Sequence, residues 1–334
     1  MNLPVLGNDQ SAPAPATLTP WIGPNGRVME RLELHLTYTC PERCVFCSEE
    51  HRMKRYDAFP VTWGRVATTL RQHAERGVRA VHLTGGEPTI HPQFVQTLML
   101  AKKLGMRTSV GTIGTMLCRP LFAAEALPFL DEGLFSLHGP NPEVHDKMTG
   151  RAGSFERTTG ALSLCLQQKP GFGGYVNTVA TRHNIHALPE TVRLARRLGA
   201  SLVVVSNTTP EGLGLDRYEE LAVPLSTLAE VLPLAAEAAG DMTLRFFGVP
   251  MCLLGKYAAY SNDLHWDPRV TVEWGDGPGS VVFGGLYNWA PDRKRVHVDA
   301  CRKCHRKNVC AGVFDRYAEL FPVDALRPEV REEA

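Results

Sequence analysis

Cys40, Cys44 and Cys47 stand three and then two residues apart in Cys40-Pro41-Glu42-Arg43-Cys44-Val45-Phe46-Cys47. Three thiolates on so short a loop can hold a soft metal centre. A structural zinc takes four protein ligands, and a catalytic zinc takes three plus water. An iron–sulfur cube held by three cysteines leaves one iron open to a ligand that is not protein. A second group, Cys301, Cys304 and Cys310, lies near the other end of the chain, with Cys252 upstream. Those four thiolates would close a centre with no open position. Of the nine cysteines, Cys118 and Cys165 stand alone. Cys165 falls on the apolar helical face of residues 161–166 and reads as core. The chain carries no export signal, so clustered cysteines read as metal or cluster ligands rather than disulfides.

The elements that must position these groups follow from apolar spacing. Leu32, Leu34 and Leu36 alternate as in a strand, and the first cysteine loop leaves its end. Residues 62–76 have helical periodicity, and Gly77 suits a C-terminal cap. A strand over 79–83 runs into Thr84-Gly85-Gly86-Glu87-Pro88. Two glycines let backbone approach a ligand closely, and the Glu87 carboxylate can accept from an ammonium. Helices are expected over 93–104, 120–127, 153–168, 188–198 and 225–239. Strands are expected over 107–112, 133–137, 175–181 and 201–206. Residues 138–150 read as a long loop. Strand then helix, about six times with short connections, argues for a parallel sheet of right-handed crossovers.

Beyond residue 243 glycine and proline become frequent and the strands shorten, to 270–274 and 281–283. The reading therefore divides the chain into a flexible tail over 1–30, a partial barrel over 31–242 and a small cluster-bearing domain over 243–334. The 334 residues suffice for one large domain with an appendage. Hydrophobic residues are 44% and charged ones 21%, with a formal net charge of +1, which points to neither nucleic acid nor a membrane as partner. No apolar run is long enough to span a bilayer, and the chain reads as cytoplasmic.

The cysteine spacing, with Phe46 just before Cys47, resembles the signature of the radical S-adenosylmethionine (radical SAM) family. The Gly-Gly-Glu segment one strand–helix unit later strengthens that resemblance. It implies an open (β/α)6 three-quarter TIM barrel, with Cys40, Cys44 and Cys47 holding a [4Fe–4S] cluster whose fourth iron binds S-adenosylmethionine. It also implies that Gly85, Gly86 and Glu87 hold the methionine amino group and that Phe46 lies near the adenine. Ser136, in Phe135-Ser136-Leu137-His138-Gly139, would contact the cofactor, and Asn177 on the fifth strand the ribose, unless Asn177 is a satisfied structural residue. His138 either faces substrate or orders its loop. The segment from His145 to Gly150 also matches the family and could do no more than order a loop. The residues from Cys310 to Tyr317 resemble the auxiliary-cluster segments of SPASM and twitch proteins. They imply a second [4Fe–4S] cluster on Cys252, Cys301, Cys304 and Cys310, the alternative being a four-cysteine zinc. Cys118 is either a buried small residue or a hydrogen-atom donor at the barrel mouth.

The function expected from this resemblance is reductive cleavage of S-adenosylmethionine to a 5′-deoxyadenosyl radical. That radical would take a hydrogen atom from a small metabolite such as a sugar or nucleoside, for a net oxidation. An electron donor such as flavodoxin or ferredoxin is implied as partner. Two alternatives stand beside it: a maturase of a ribosomally made peptide, and a non-catalytic iron–sulfur or zinc scaffold. The intact Gly-Gly-Glu segment argues against the scaffold, which needs no amino-group site.

Overall fold

A computed structural model describes residues 19–20, 22, 26, 28–291 and 294–330. The expected tail falls mostly outside these residues, but Met29 at its end is fully buried, and the Glu30 carbonyl accepts from the Arg79 and Ala80 amides.

The first half of the chain runs β1 (Arg31–Thr37), α1 (Glu50–Tyr56), α2 (Trp63–Glu75), β2 (Ala80–Gly85), α3 (Phe94–Lys103), β3 (Arg107–Thr112) and α4 (Pro120–Ala126). It continues through β4 (Glu132–Ser136), α5 (Pro142–Thr149), α6 (Ser154–Gln168), β5 (Gly173–Ala180), α7 (Leu188–Arg197) and β6 (Leu202–Asn207). Two single turns, α8 (Leu213–Asp216) and α9 (Tyr218–Leu221), lead to α10 (Leu225–Ala239) and β7 (Thr243–Phe247). A hairpin follows, β8 (Arg269–Gly277) and β9 (Ser280–Asn288). Last come a short pair, β10 (Arg295–Val296) with β11 (Val313–Phe314), and α11 (Asp315–Leu320).

One sheet carries β1 to β9 in the order β7-β6-β5-β4-β3-β2-β1-β8-β9. Neighbours from β1 to β7 pair parallel, β8 pairs parallel with β1, and β9 returns antiparallel. β7 and β9 are its two edges and do not meet, so the barrel stays open. The six expected strand–helix units are present, and a seventh parallel strand follows them. The boundary expected near 241–243 is therefore crossed by the sheet: β7 extends one side and the β8–β9 hairpin the other. The two short strands expected over 270–274 and 281–283 are longer than that, nine residues each, and the glycines between and within them do not end them. A two-residue turn, Pro278-Gly279, closed by the Gly277–Ser280 pair, joins them.

Residues 138–150 also depart from expectation, because α5 occupies most of them. The Asn141 side chain accepts from the Val144 amide at 3.0 Å, Pro142 fills the first helical position, and Gly150 ends the helix at φ 65°. Each parallel strand buries one residue parity against the helices. In β1 these are Leu32, Leu34 and Leu36, all at 0% exposure, and burial of each is worth about 1.5–3 kcal/mol. The other parity, Arg31, Glu33 and His35, faces the inside of the barrel. Polar residues of an alternating strand ordinarily face solvent; here they face a lumen. Among the described residues no helix is long and apolar enough to cross a membrane.

The C-terminal segment is fixed by a buried ion pair. Arg295 Nη1 donates to Asp263 Oδ1 at 2.7 Å, with both side chains at 1% exposure or less. The guanidinium also donates to the Gly312 carbonyl, and the Ala311 amide donates to Asp263 Oδ2. Asp263→Ala would leave Arg295 buried and unpaired, an expected loss of about 3–5 kcal/mol. Denaturant unfolding followed with hydrogen exchange at 311–314 should show loss of protection centred on that segment.

Candidate cofactor and substrate site

The loops that leave the C-terminal ends of the parallel strands gather on one side of the barrel, where enzymes of this architecture keep their chemistry. The loop from Cys40 to Cys47 leaves β1 there. It folds on itself through the Cys47 amide, which donates to the Cys44 carbonyl at 3.1 Å. From one side the end of α5 grips it: the Arg43 and Val45 amides donate to the Thr149 and Met148 carbonyls, both at 3.0 Å. A Cβ on Gly150 would stand 2.7 Å from the Arg43 carbonyl oxygen. From the other side comes the turn after β6. The Leu213 amide donates to the Cys47 carbonyl at 2.9 Å, and a Cβ on Gly212 would stand 2.4 Å from that oxygen. Backbone can approach this closely only where no side chain intervenes.

A buried relay secures the loop from beneath. Glu42 is 3% exposed, and Ser154 Oγ donates to its Oε1. His145 Nε2 lies 3.1 Å from that hydroxyl, and the His138 amide donates to His145 Nδ1 at 3.0 Å. An amide can only donate, so Nδ1 is the acceptor and the imidazole proton sits on Nε2. The proton order is then fixed from His145 through Ser154 to Glu42. Burial lowers the His145 pKa to about 4, against the pull of Asp146, and raises that of Glu42 to about 7. His138 belongs to the same framework. Its Nδ1 accepts from the Val179 amide at 3.2 Å and its ring meets Phe46 edge-on at 4.7 Å. Of its two readings, loop order is the one the geometry supports, and the segment from His145 to Gly150 has the same role.

Burial also pushes the thiols up, Cys40 to about 12, Cys47 to about 11, and Cys44 well above the usual range. Bare thiols here stay protonated, so stable thiolates need a metal centre on them. The donor set fits an iron–sulfur cluster with one open iron.

Gly85 and Gly86 lie against β1. The Gly86 amide donates to the Thr37 carbonyl at 2.7 Å and the Glu87 amide to Thr39 at 2.8 Å. A Cβ on either glycine would fall within 2.3 Å of those oxygens. Glu87 differs from expectation. Its carboxylate is fully buried and accepts from Thr112 Oγ1 at 2.7 Å, the Ile113 amide at 2.9 Å, and the Thr89 amide and hydroxyl. Protein donors occupy the group expected to meet the ammonium, so Glu87 pins the glycine turn to the end of β3.

Inside the barrel is a cavity of about 590 Å³. Asn177 lines it, with Ser206 Oγ donating to Asn177 Oδ1 at 2.8 Å. Ser136 shares the strand parity of Glu132 and Leu134, which also line it. At the end nearest the cysteine loop, His35 stands between Glu49 and Glu273, its two ring nitrogens each 3.4 Å from one carboxylate. Arg52 bridges the same two carboxylates at 3.1 Å each. At the far end, burial alone would raise the Glu33 pKa, but Arg269 and its neighbours bring it down to about 2. Sequence reasoning missed this charged lining, as it missed Glu42 and the packing of Gly212 on the cysteine loop. The available signal was the polar parity of β1, three ionisable residues alternating with three leucines. Cys118 lies elsewhere. Its thiol donates to the Thr115 carbonyl at 3.4 Å, and it lines a shallow pocket with Pro120 and residues of α6, outside the cavity. That position does not suit a hydrogen donor to a substrate in the barrel.

The second group does come together. Cys252, delivered by the turn after β7, lines one pocket with Cys301, Cys304 and Cys310. Cys310 Sγ accepts from the Met251 and Gly312 amides at 3.5 and 3.4 Å. Gly312 has φ 87°, and a Cβ there would stand 2.1 Å from the Val296 carbonyl oxygen. Burial and the neighbouring thiols both raise the Cys252 pKa. Among the described residues, neither cysteine group has three sulfurs all within 4.8 Å of one another. A tetrahedral zinc would draw its sulfurs to about 3.8 Å. A cube spreads its four sulfurs over separate irons.

Residues 34–195 match the model of the radical SAM superfamily. Residues 34–195, which carry the cysteine loop and the Gly-Gly-Glu turn, are thus those of a radical SAM domain. Radical SAM proteins bind a [4Fe–4S] cluster and S-adenosylmethionine, and the C-terminal cysteines fit an auxiliary cluster. A PqqA peptide cyclase of Gluconobacter oxydans is 32% identical over 197 residues, covering 58% of this chain and 54% of its own. The chain thus spans about half the length of the curated relatives it matches. Two solved structures share the fold. Streptococcus suis SuiB bound to precursor peptide SuiA has a TM-score of 0.57 at 16% identity, over 73% of this chain and 57% of its own. The enzyme anSMEcpe, bound to AdoMet and Cp18Cys peptide, has a TM-score of 0.60 at 14% identity, over 90% and 92%.

The clamp on the cysteine loop predicts that Gly212→Ala lowers the iron retained at the first cluster, because its Cβ would displace Cys47 and Ser48. Gly160→Ala, on α6 with nothing within 4 Å, is the control. Iron analysis after reconstitution should separate the two. The relay predicts an acid limit. The unfolded chain takes up a histidine proton near pH 6.5, but folded His145 refuses it until about 4. His145 therefore withdraws stability as pH drops through that window, while Glu42, held up to about 7, takes its proton first in the folded chain and opposes it, so the histidine contribution is read as the difference between wild type and variant. Equilibrium unfolding from pH 7 to 4 should show a shallower fall in His145→Gln, which has no such proton to refuse.

Proposed function

We propose that this chain is a radical SAM enzyme that modifies a ribosomally made peptide by a net oxidation. Its similarity to PqqA peptide cyclases carries the reading, because those relatives are named for a peptide substrate. The fold shared with peptide-bound SuiB and anSMEcpe is consistent with it. The small-metabolite reading of the sequence gives way to this one. A cavity of about 590 Å³ with both charged and apolar lining suits one or two side chains of a peptide entering through the open barrel.

Cys40, Cys44 and Cys47 hold the first cluster in this reading, and Cys252, Cys301, Cys304 and Cys310 the second. S-adenosylmethionine bound at the first cluster would supply the radical that takes one hydrogen atom, and a fully ligated second cluster would accept the substrate radical's electron while its proton passes to solvent, which together account for two hydrogens lost. The chain's own groups do the positioning. Gly85 and Gly86, pinned by Glu87, present backbone to the methionine end. Ser136 and Asn177 line the path to the ribose, and Phe46, within the cysteine loop, packs edge-on against His138. His35, Glu49, Glu273 and Arg52 set the polarity next to the reacting carbon. The open barrel edge admits the substrate.

Anaerobically reconstituted protein should carry about eight irons, and the Cys40→Ala, Cys44→Ala, Cys47→Ala triple variant about four. One zinc in place of the second four would overturn the auxiliary cluster. For the reaction, the loaded protein is incubated with S-adenosylmethionine, a reductant and short peptides encoded beside its gene. A product lighter by two hydrogens, read by mass spectrometry, is expected. Turnover of small metabolites but of no peptide would sink the peptide reading.

A further inference from the structure

The two edges of the barrel sheet are treated differently. On the β7 side, Phe246 is bridged in parallel by Ser261, and the helical turn Asn262–His265 follows it. Chain thus covers that edge. On the other side β9 is the last strand, and among the described residues no strand pairs with its outer edge. Proteins usually blunt such edges with lysine, proline, a bulge or a very short strand. β9 has none of these. Its sequence is Ser-Val-Val-Phe-Gly-Gly-Leu-Tyr-Asn, and its nine residues pair with β8 in unbroken register.

The strand is also apolar where it is exposed. Val282 is 42% and Leu286 43% exposed. Leu286 stands opposite Thr271 and Gly284 opposite Glu273, both of which line the cavity. Val282, Gly284 and Leu286 therefore continue the cavity wall outward along the open seam. Asn288, at the end of β9, lines the cavity itself, and its carbonyl accepts from Trp266 Nε1 at 3.3 Å. Trp266 stacks on Phe247 of β7, so the seam is bridged at one end and open along the rest of β9.

A row of backbone donors and acceptors is matched best by another extended backbone. We propose that β9 is a docking strand for an extended polypeptide, which pairs with its outer edge and sets apolar side chains against Val282 and Leu286. Pairing there lays the segment beside the barrel opening and feeds the residue to be modified into the cavity. The inference rests on the peptide-substrate reading and adds to it where the peptide is held.

The test uses the cluster-loaded full chain and a phage-displayed library of random peptides, with enriched peptides then synthesised. They are measured against the wild type and a Val282→Lys, Leu286→Lys variant, with iron content as the folding control. Enriched peptides should bind the variant about tenfold more weakly or worse, and N-methylation of alternate backbone amides should cost about as much, as loss of backbone hydrogen bonds does. Peptides that bind the variant equally well, or that tolerate N-methylation, would place the docking site elsewhere while leaving the peptide-substrate reading intact. No enrichment, together with a dimer that the two lysines make monomeric in light scattering, would give the edge to a second copy. No enrichment from a monomer would also overturn the docking strand, and the mass of the reaction product then judges the peptide-substrate reading on its own.

Discussion

The cysteine loop is held by backbone on both faces. Carbonyls of Met148 and Thr149 take its amides on one side, and the Leu213 amide takes the Cys47 carbonyl on the other. Gly150 and Gly212 stand where any side chain would force these segments apart. Three thiols that must meet one cluster cannot drift, and the loop that carries them has too few residues to fix itself. Its geometry is therefore borrowed from two later crossovers. That is why α5 starts on a strong N-cap at Asn141 and ends on a left-handed glycine: its last turn must arrive at a set height against the loop.

The same economy explains Glu87 and His138. Both were legible as polar residues at strand ends, and both turn inward. Glu87 is ringed by donors from β3 and from its own turn, and His138 by the β5 amide and the edge of Phe46. Buried polar atoms at strand ends must find partners, and here those partners are neighbouring loops. The consequence for function is a rigid rim around a cavity whose walls are charged. Pairs such as Arg269 with Glu33 offset charge within the wall, so the lumen can be polar without any one charge standing alone.

The seven parallel strands and the hairpin enclose that lumen without closing it. A closed barrel of this size would fill with side chains; an open one keeps a lumen. The gap between β7 and β9 is the natural way in, and the covered edge of β7 leaves β9 to border it.

Much of this was in the sequence. The spacing of Cys40, Cys44 and Cys47, the Gly-Gly-Glu turn, and the strand–helix alternation specify the ligand loop and the barrel, because each depends on near neighbours along the chain. The apolar parity of Leu32, Leu34 and Leu36 likewise fixes which face of β1 meets the helices. What the other parity faces depends on how the sheet curves. Only the tertiary structure makes Arg31, Glu33 and His35 lumen residues rather than surface ones. Nor could local pattern show that Cys252 joins cysteines some fifty residues later, that Cys118 lies outside the barrel, or that the sheet runs on past residue 242. Those placements depend on segments far apart in sequence packing together, and spacing along the chain does not encode that distance.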